Sequence, residues 1–145
     1  MGKSKALPLI NTRPELSVSV AVFKEGKVLL AQRAFAPYAG HYSLPGGRVE
    51  LGETLQEAAL RELYEEVQVK AQIIGFVDHV ELYEAGAFHC VICVFAGIWL
   101  VGEPQTGLEV TDVVWYDPHK ISNMKMTPHL KEIVIKAQIM VDAHQ

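Results

Sequence analysis

The sequence predicts a mixed α/β fold in which several strands accompany two principal helices. Segment 17–22 alternates polar and apolar residues, as a half-buried strand does. Segment 55–67 carries apolar residues at every fourth position, which is typical of a helix that packs on a sheet. A length of 145 residues fits one domain with its own hydrophobic core.

The first third of the chain predicts a tail, a hairpin and a long loop. Residues 1–14 contain two prolines and are expected to form a flexible tail before a single domain of residues 15–145. A strand from Leu16 and a second strand over 27–33 flank a turn, so a β-hairpin is expected. Residues 34–53 are rich in glycine, proline and aromatic residues, which indicates a long functional loop.

The rest of the chain predicts both helices and the remaining strands. Thr54 and Glu57 have the spacing of a capping box, so the first helix is expected to begin there. Thr127 followed by Pro128 predicts a second helix, with the threonine as N-cap and the proline as first residue. Further strands are expected over residues 72–83, 87–100 and 110–116.

Composition and charge exclude several classes of function. The 13 basic and 17 acidic residues give a net charge of -4 without any basic block, which argues against a nucleic acid polymer as partner. No stretch has transmembrane length and no signal peptide is evident, so a cytoplasmic location away from membranes is expected. Cys90 and Cys93 should face opposite sides of a strand, so they are interpreted as structural thiols.

Glu62, Glu65 and Glu66 should share one face of the first helix because they lie three and four residues apart. Like charges at these spacings destabilise a helix by a few tenths of a kcal/mol per pair, so the cluster lowers the stability of the helix by about 0.5 kcal/mol. One interpretation is a solvated helix face. The other is a site for a hard cation such as Mg2+ or Mn2+, which carboxylate oxygens suit.

The residues around these glutamates favour the metal site. Segment 47–69 resembles the Nudix box, and matches its specified positions at Gly47, Glu53, Arg61, Glu62, Leu63, Glu65, Glu66 and Val69. The one departure is Gln68, where the box has glycine. Glycine easily adopts the left-handed conformation that ends a helix, whereas a residue with a β-carbon does so at a cost of about 1 kcal/mol. We expect an altered helix exit at Gln68 without loss of activity.

The resemblance to the Nudix family extends from about Val18 to Ile121, and short ADP-ribose pyrophosphatase-like members look most similar. It implies an α/β/α sandwich around a mixed sheet, with the box beside the substrate cleft. It also implies a pyrophosphatase acting on a nucleoside diphosphate linked to another group, with ADP-ribose or a nucleotide sugar as the small-molecule substrate. Two alternatives stay open: a nucleoside triphosphate pyrophosphohydrolase, and a non-catalytic nucleotide-sensing domain. Related short members often pair, so a homodimer is a further expectation.

By the same resemblance, Glu62, Glu65 and Glu66 are the expected metal ligands, with the carbonyl of Gly46 as a backbone ligand. Arg61 is expected to orient these glutamates.

The arginine should act together with Glu53. The general base is expected to be Glu65 or Glu109. Glu109 follows the turn formed by Gly102, Glu103 and Pro104. For Glu109, a plain surface charge is the competing interpretation.

Substrate contacts are expected from Arg33, Gly47 and Tyr42. For Arg33, which ends a strand at the long loop, a structural ion pair is the alternative. Candidate base-stacking residues are Tyr38, Tyr42, Tyr83 and Phe88, for each of which core or rim packing is the alternative.

Overall fold

A seven-stranded mixed β-sheet forms the middle of the molecule in the computed structural model, which describes residues 13–144. Most of the predicted tail therefore lies outside the described residues. The strands are β1 (Glu15–Lys24), β2 (Lys27–Arg33), β3 (Tyr42–Ser43), β4 (Gly46–Arg48), β5 (Lys70–Glu84), β6 (Phe88–Val101) and β7 (Val110–Tyr116). The helices are α1 (Leu55–Val67), a 3-10 helix (Pro118–Asn123) and α2 (Leu130–His144).

Strand β1 lies at the centre and changes partner along one of its sides. On one side it pairs with β6 in parallel along nearly its whole length, and β5 pairs antiparallel with β6 at the sheet edge. On the other side, residues 17–19 pair with β4, whereas Phe23 and Lys24 pair with β2. Strand β2 then pairs with β3 and β7. The box segment and the β1–β2 hairpin thus meet beside the same central strand.

A hydrophobic core lies on each face of the sheet. On one face, Val20 packs with Leu63 and other apolar residues of α1. On the other, Ala21 packs with Val134 and other apolar residues of α2. Successive residues of β1 point to opposite faces, which is why the central strand is apolar on both sides. The predicted α/β/α sandwich is confirmed.

Local signals predicted the first hairpin and the first helix correctly. Strands β1 and β2 pair antiparallel, and the Thr54 hydroxyl accepts from the Glu57 N–H while the Glu57 carboxylate accepts from the Thr54 N–H. The predicted loop over 34–53 is wrong in part, because it contains β3 and β4. These strands are only two and three residues long, too short for an alternating pattern to reveal them.

The predicted start of the second helix is wrong. Helix α2 begins at Leu130, and His129 before it has a left-handed φ of 69° that no helix continues through. The Thr127 N–H donates to the carbonyl of Tyr42 at 3.0 Å, so this segment is held by β3 instead of capping a helix. A contact distant in sequence overrides the local capping signal.

The exit of α1 at Gln68 also differs from the expectation. Gln68 adopts the left-handed conformation itself, with φ 62° and ψ 36°, and its N–H donates to the carbonyl of Tyr64 at 2.8 Å. The helix therefore ends as it would with glycine. The β-carbon is accommodated at the energetic cost of that backbone conformation.

The two cysteines occupy opposite faces of β6, as predicted. Cys93 packs against the core on the α1 side, whereas Cys90 lies on the other face. Both are free and half-buried, and burial raises the pKa of each thiol. Neither helix in residues 13–144 is long and apolar enough to cross a membrane.

Candidate active site

A cavity of ≈ 880 Å³ opens where the box segment meets the sheet. Part of its lining is acidic and part is apolar. The acidic side chains are Glu15, Glu50, Glu62, Glu65, Glu66 and Glu109, and apolar ones include Val80, Leu82, Ile92, Leu130 and Ile133. The helix and the loop before β7, far apart in sequence, thus bring all of the predicted acidic residues except Glu53 to one surface.

Glu66 lies deepest among the box glutamates. Its Oε1 accepts a hydrogen bond from the N–H of Gly46 at 3.1 Å, which joins α1 to β4. The pKa of Glu66 is raised to about 7, mainly by burial and also by the negative charges of Glu109 and Glu62, against the opposing effects of that hydrogen bond and of Arg33. The three carboxyl groups therefore lie close enough to repel one another.

Glu62 occupies space that a side chain at Gly47 would fill. A β-carbon added to Gly47 would lie 2.3 Å from the carboxyl carbon of Glu62. Burial raises the pKa of Glu62, Arg61 lowers it, and the charges of Glu65 and Glu109 raise it. Gly47 lines the cavity, and its missing side chain makes room for the carboxylate.

Arg61 binds three glutamates at once. Its Nε and Nη2 donate to the two carboxylate oxygens of Glu53 at 2.5 and 2.8 Å. Its Nη1 lies 3.1 Å from both Glu62 and Glu65. The fork-shaped guanidinium suits such multiple contacts. Arg61 holds the pKa of Glu53 down at about 2, so this carboxylate stays ionised.

Glu53 lies outside the cavity lining and is connected to the glutamates of the site through Arg61. Glu65 is the most open of the three expected glutamate ligands, with 60% of its side chain exposed. Glu109 is fixed through its backbone, because its carbonyl accepts from the Ala34 N–H at 3.0 Å. Its side chain lines the cavity opposite α1.

Of the three predicted substrate-binding residues, Arg33 and Gly47 line the cavity and Tyr42 does not. Arg33 lines the cavity, and its Nε donates to the carbonyl of Pro37 at 2.7 Å. Among the described residues no carboxylate lies within salt-bridge distance of Arg33, so the alternative of a structural ion pair does not hold there.

The expected substrate contact of Tyr42 is not matched. The Tyr42 hydroxyl donates to Asp112 at 2.6 Å, and its ring packs in the core on the α2 side, away from the lining of the cavity. This hydrogen bond raises the pKa of Tyr42 to about 12. Tyr42 therefore ties β3 to β7.

One of the other candidate stacking residues lines the cavity, namely Tyr38, and its ring meets Phe88 edge-on at 6.0 Å. Tyr83 instead packs against His89 at 5.0 Å.

Several cavity residues were not predicted from the sequence, including Gln32, Arg48 and Cys90. They reach the cavity through strand pairing across the sheet, for which a single sequence carries no local signal.

The acidic part of the cavity fits a hard divalent cation. Mutual repulsion among Glu62, Glu66 and Glu109 favours a cation between them, and carboxylate oxygens are the donors that such ions prefer. Within residues 13–144, no three acidic, cysteine or histidine side chains already surround one ion-sized point. The carboxylates would therefore have to close around an ion as it binds.

Comparison with known proteins agrees with the fold and the box. Residues 13–137 match the NUDIX domain family. An ADP-ribose pyrophosphatase of Methanocaldococcus jannaschii is 30% identical over 115 residues, which cover 77% of this chain and 66% of that protein. The 8-oxo-dGTP diphosphatase of Escherichia coli is 32% identical over 95 residues, covering 62% of this chain and 70% of that protein. The chain thus spans slightly less than two thirds of the archaeal relative.

A solved structure has the same architecture. The MutT protein of Methanosarcina mazei Go1 superimposes with a TM-score of 0.77 at 24% identity, covering 90% of this chain and 97% of that one. Members of the family generally use divalent metal cations, which agrees with the acidic cavity. Arg61 and the glutamates 62, 65 and 66 of the box lie on α1, and the family match covers residues 13–137. This protein therefore belongs to the Nudix family.

Proposed function

We propose that this chain is a divalent-metal-dependent pyrophosphohydrolase that cleaves the diphosphate bridge of ADP-ribose or another nucleotide sugar. The convergence of Glu62, Glu66 and Glu109 on one part of the cavity carries the proposal. Such a cluster repels an anionic substrate as well as itself, and divalent cations relieve both repulsions. The archaeal relative is named for activity on ADP-ribose, which supports this choice of substrate.

The proposed metal ligands are Glu62, Glu65, Glu66 and the carbonyl of Gly46. Bound Mg2+ or Mn2+ would neutralise the diphosphate and acidify the attacking water. Arg61, supported by Glu53, keeps Glu62 and Glu65 oriented toward one side of α1. The long side chains are thereby restrained before substrate arrives.

In the proposed reaction, the water oxygen attacks one phosphorus of the bridge. The bond from that phosphorus to the bridging oxygen breaks, and the bridging oxygen leaves with the second phosphate. The proton of the water passes to a carboxylate, for which Glu65 and Glu109 are the two candidates. With ADP-ribose the products are AMP and ribose 5-phosphate.

Few cationic side chains line the cavity for contact with a substrate phosphate. Among the described residues of its lining, the cationic side chains are Arg33 and Arg48. Arg48 lies 2.6 Å from the carboxylate of Glu15, which leaves Arg33 as the proposed contact to a substrate phosphate.

A second candidate function is a nucleoside triphosphate pyrophosphohydrolase, supported by the similarity to the 8-oxo-dGTP diphosphatase. It would release pyrophosphate instead of a sugar phosphate. The two candidates therefore differ in their products, although they use the same carboxylates.

The test is a substrate panel with purified protein and either Mg2+ or Mn2+. It should contain ADP-ribose, nucleotide sugars, dinucleoside polyphosphates, NADH, and normal and oxidised triphosphates. We expect AMP and ribose 5-phosphate from ADP-ribose, none after chelation, and none from a Glu62→Gln variant. Release of pyrophosphate from triphosphates alone would favour the second candidate. Nucleotide binding without any product would overturn both and indicate a sensing domain.

A further inference from the structure

A β-bulge lies beside the cavity where β2 pairs with β7. The register is regular from Val28 opposite Tyr116 to Gln32 opposite Asp112, and then Arg33 lies opposite Val110. Gln32 and Arg33 are consecutive in β2, but their partners Asp112 and Val110 are separated by Thr111. Thr111 is therefore the additional residue of the bulge. A bulge of this kind bends its strand and changes the direction of neighbouring side chains.

The side chain of Gln32 holds the bulged residue. The Thr111 hydroxyl donates to Oε1 of Gln32 at 2.9 Å. At its other end, the Gln32 amide nitrogen donates to the carbonyl of Gly40 at 3.1 Å. One amide thus connects the bulge of β7 to the loop that follows β2.

Glu109 lies two residues before the bulged Thr111. Its carbonyl is bonded to the N–H of Ala34, and the intervening Val110 is only 2% exposed. The Glu109 side chain lines the cavity, close enough for its charge to act on Glu62 and Glu66. The position of the bulge therefore sets the direction from which Glu109 approaches α1.

We propose that Gln32 and Thr111 are positioning residues whose hydrogen bond holds the bulge that directs Glu109 at the carboxylates of α1. The inference rests on the proposed function. Thr111 is exposed and, among the described residues, is not part of the cavity lining. An effect of Thr111 on turnover therefore has two routes, the backbone it shares with Glu109 and the side chain of Gln32, which lines the cavity. The Glu109→Gln background separates them.

The first test compares Thr111→Val with Thr111→Ser. Valine keeps the branched shape and removes the hydroxyl, whereas serine keeps the hydroxyl. With ADP-ribose and Mg2+, we expect Thr111→Val to lower kcat roughly fivefold, the size of effect of one hydrogen bond, with KM nearly unchanged. Thr111→Ser should behave as the wild type. Equal kcat values for Thr111→Val and the wild type would overturn the inference.

The second test asks whether the effect acts through Glu109. In a Glu109→Gln background, Thr111→Val should cause no further loss of kcat, because the group it positions is already gone. A further loss of the same factor would assign Thr111 a merely structural effect and overturn the inference.

The third test measures amide exchange in metal-free protein, without substrate. The Ala34 N–H, bonded to Glu109, should exchange roughly fivefold faster in Thr111→Val than in wild type, whereas amides of the β5–β6 pairing keep their rates. Unchanged exchange at Ala34 would overturn the inference. If the wild type hydrolyses no compound of the panel, the proposed function fails, and this comparison still decides whether the hydrogen bond holds the segment of Glu109.

Discussion

Gly47 and Glu62 approach so closely that a β-carbon on the glycine would lie 2.3 Å from the glutamate carboxyl carbon. The absence of a side chain at Gly47 thus leaves the volume that the Glu62 carboxylate of α1 occupies. The relationship connects a residue of β4 with one of α1, and so it joins the first residue of the box to the helix of the box.

Gly47→Ala should displace Glu62 and weaken divalent metal binding. We expect at least a tenfold loss of Mn2+ affinity, since about 1.4 kcal/mol is readily reached when a buried carboxylate is pushed from its place. Titration calorimetry with Mn2+ alone measures it. Gly107→Ala is the matched control, because a β-carbon there meets nothing within 4 Å. Equal affinities for the two variants would contradict the proposed part of Glu62 as a ligand.

Substitution of the two candidate bases separates their contributions. Glu65→Gln should lower kcat at saturating metal by at least two orders of magnitude if it accepts the proton of the water, since general base catalysis contributes about 10²–10⁴-fold. Glu109→Gln tests the other candidate in the same assay. Near-normal turnover in one variant excludes the substituted carboxylate as the base, and near-normal turnover in both would show that neither carboxylate accepts that proton.

The stability of the metal-free protein should fall as the pH rises from about 5 to 7.5. The pKa of Glu66 is about 7 in the folded protein against an ordinary value of 4.5, so the folded state binds more protons in this window. Burial shifts the pKa of Glu62 in the same direction. Glu53, with a pKa of about 2, opposes the trend only at more acidic pH.

Urea unfolding in the presence of a chelator at pH 5.5 and 7.5 measures this effect. We expect a difference on the order of 2 kcal/mol after allowance for the solvent that reaches the half-buried carboxyl. Glu66→Gln should remove most of it. A metal-free wild type that is more stable at pH 7.5 would rule out the assigned environment of Glu66.

Replacement of Gln68 by glycine should stabilise the protein. Gln68 already has a left-handed backbone with φ 62°, which glycine adopts without the steric penalty of a β-carbon. We expect a gain of about 1 kcal/mol in the free energy of unfolding, read from denaturant curves. Gln68→Ala keeps a β-carbon and should be nearly neutral. A destabilised glycine variant would mean that the exposed Gln68 side chain contributes more than its backbone costs.

Helix α1 and its carboxylates could be predicted because their signals are local. Capping by Thr54 and Glu57 depends on residues three apart, and the common face of Glu62 and Glu66 follows from helical geometry alone. The family pattern then added Glu53 and Arg61, whose pairing the structure contains.

Features that depend on strand register could not be predicted in this way. The bond between Tyr42 and Asp112 spans 70 residues, and that between Gln32 and Thr111 spans 79. The prediction of the start of α2 was wrong for the same reason, because the Thr127 N–H donates to the carbonyl of Tyr42 in β3. Sequence spacing gives no measure of such contacts until the sheet is assembled.

The contacts of Arg61 have a consequence for selectivity among ions. Its Nη1 lies 3.1 Å from both Glu62 and Glu65, so an internal positive charge already competes for the oxygens that an incoming ion needs. A monovalent ion such as sodium offers those oxygens little more attraction than the guanidinium does, whereas a compact doubly charged ion offers much more. If Glu62 and Glu65 are metal ligands as proposed, discrimination against monovalent salts would follow from the guanidinium that contacts both carboxylates.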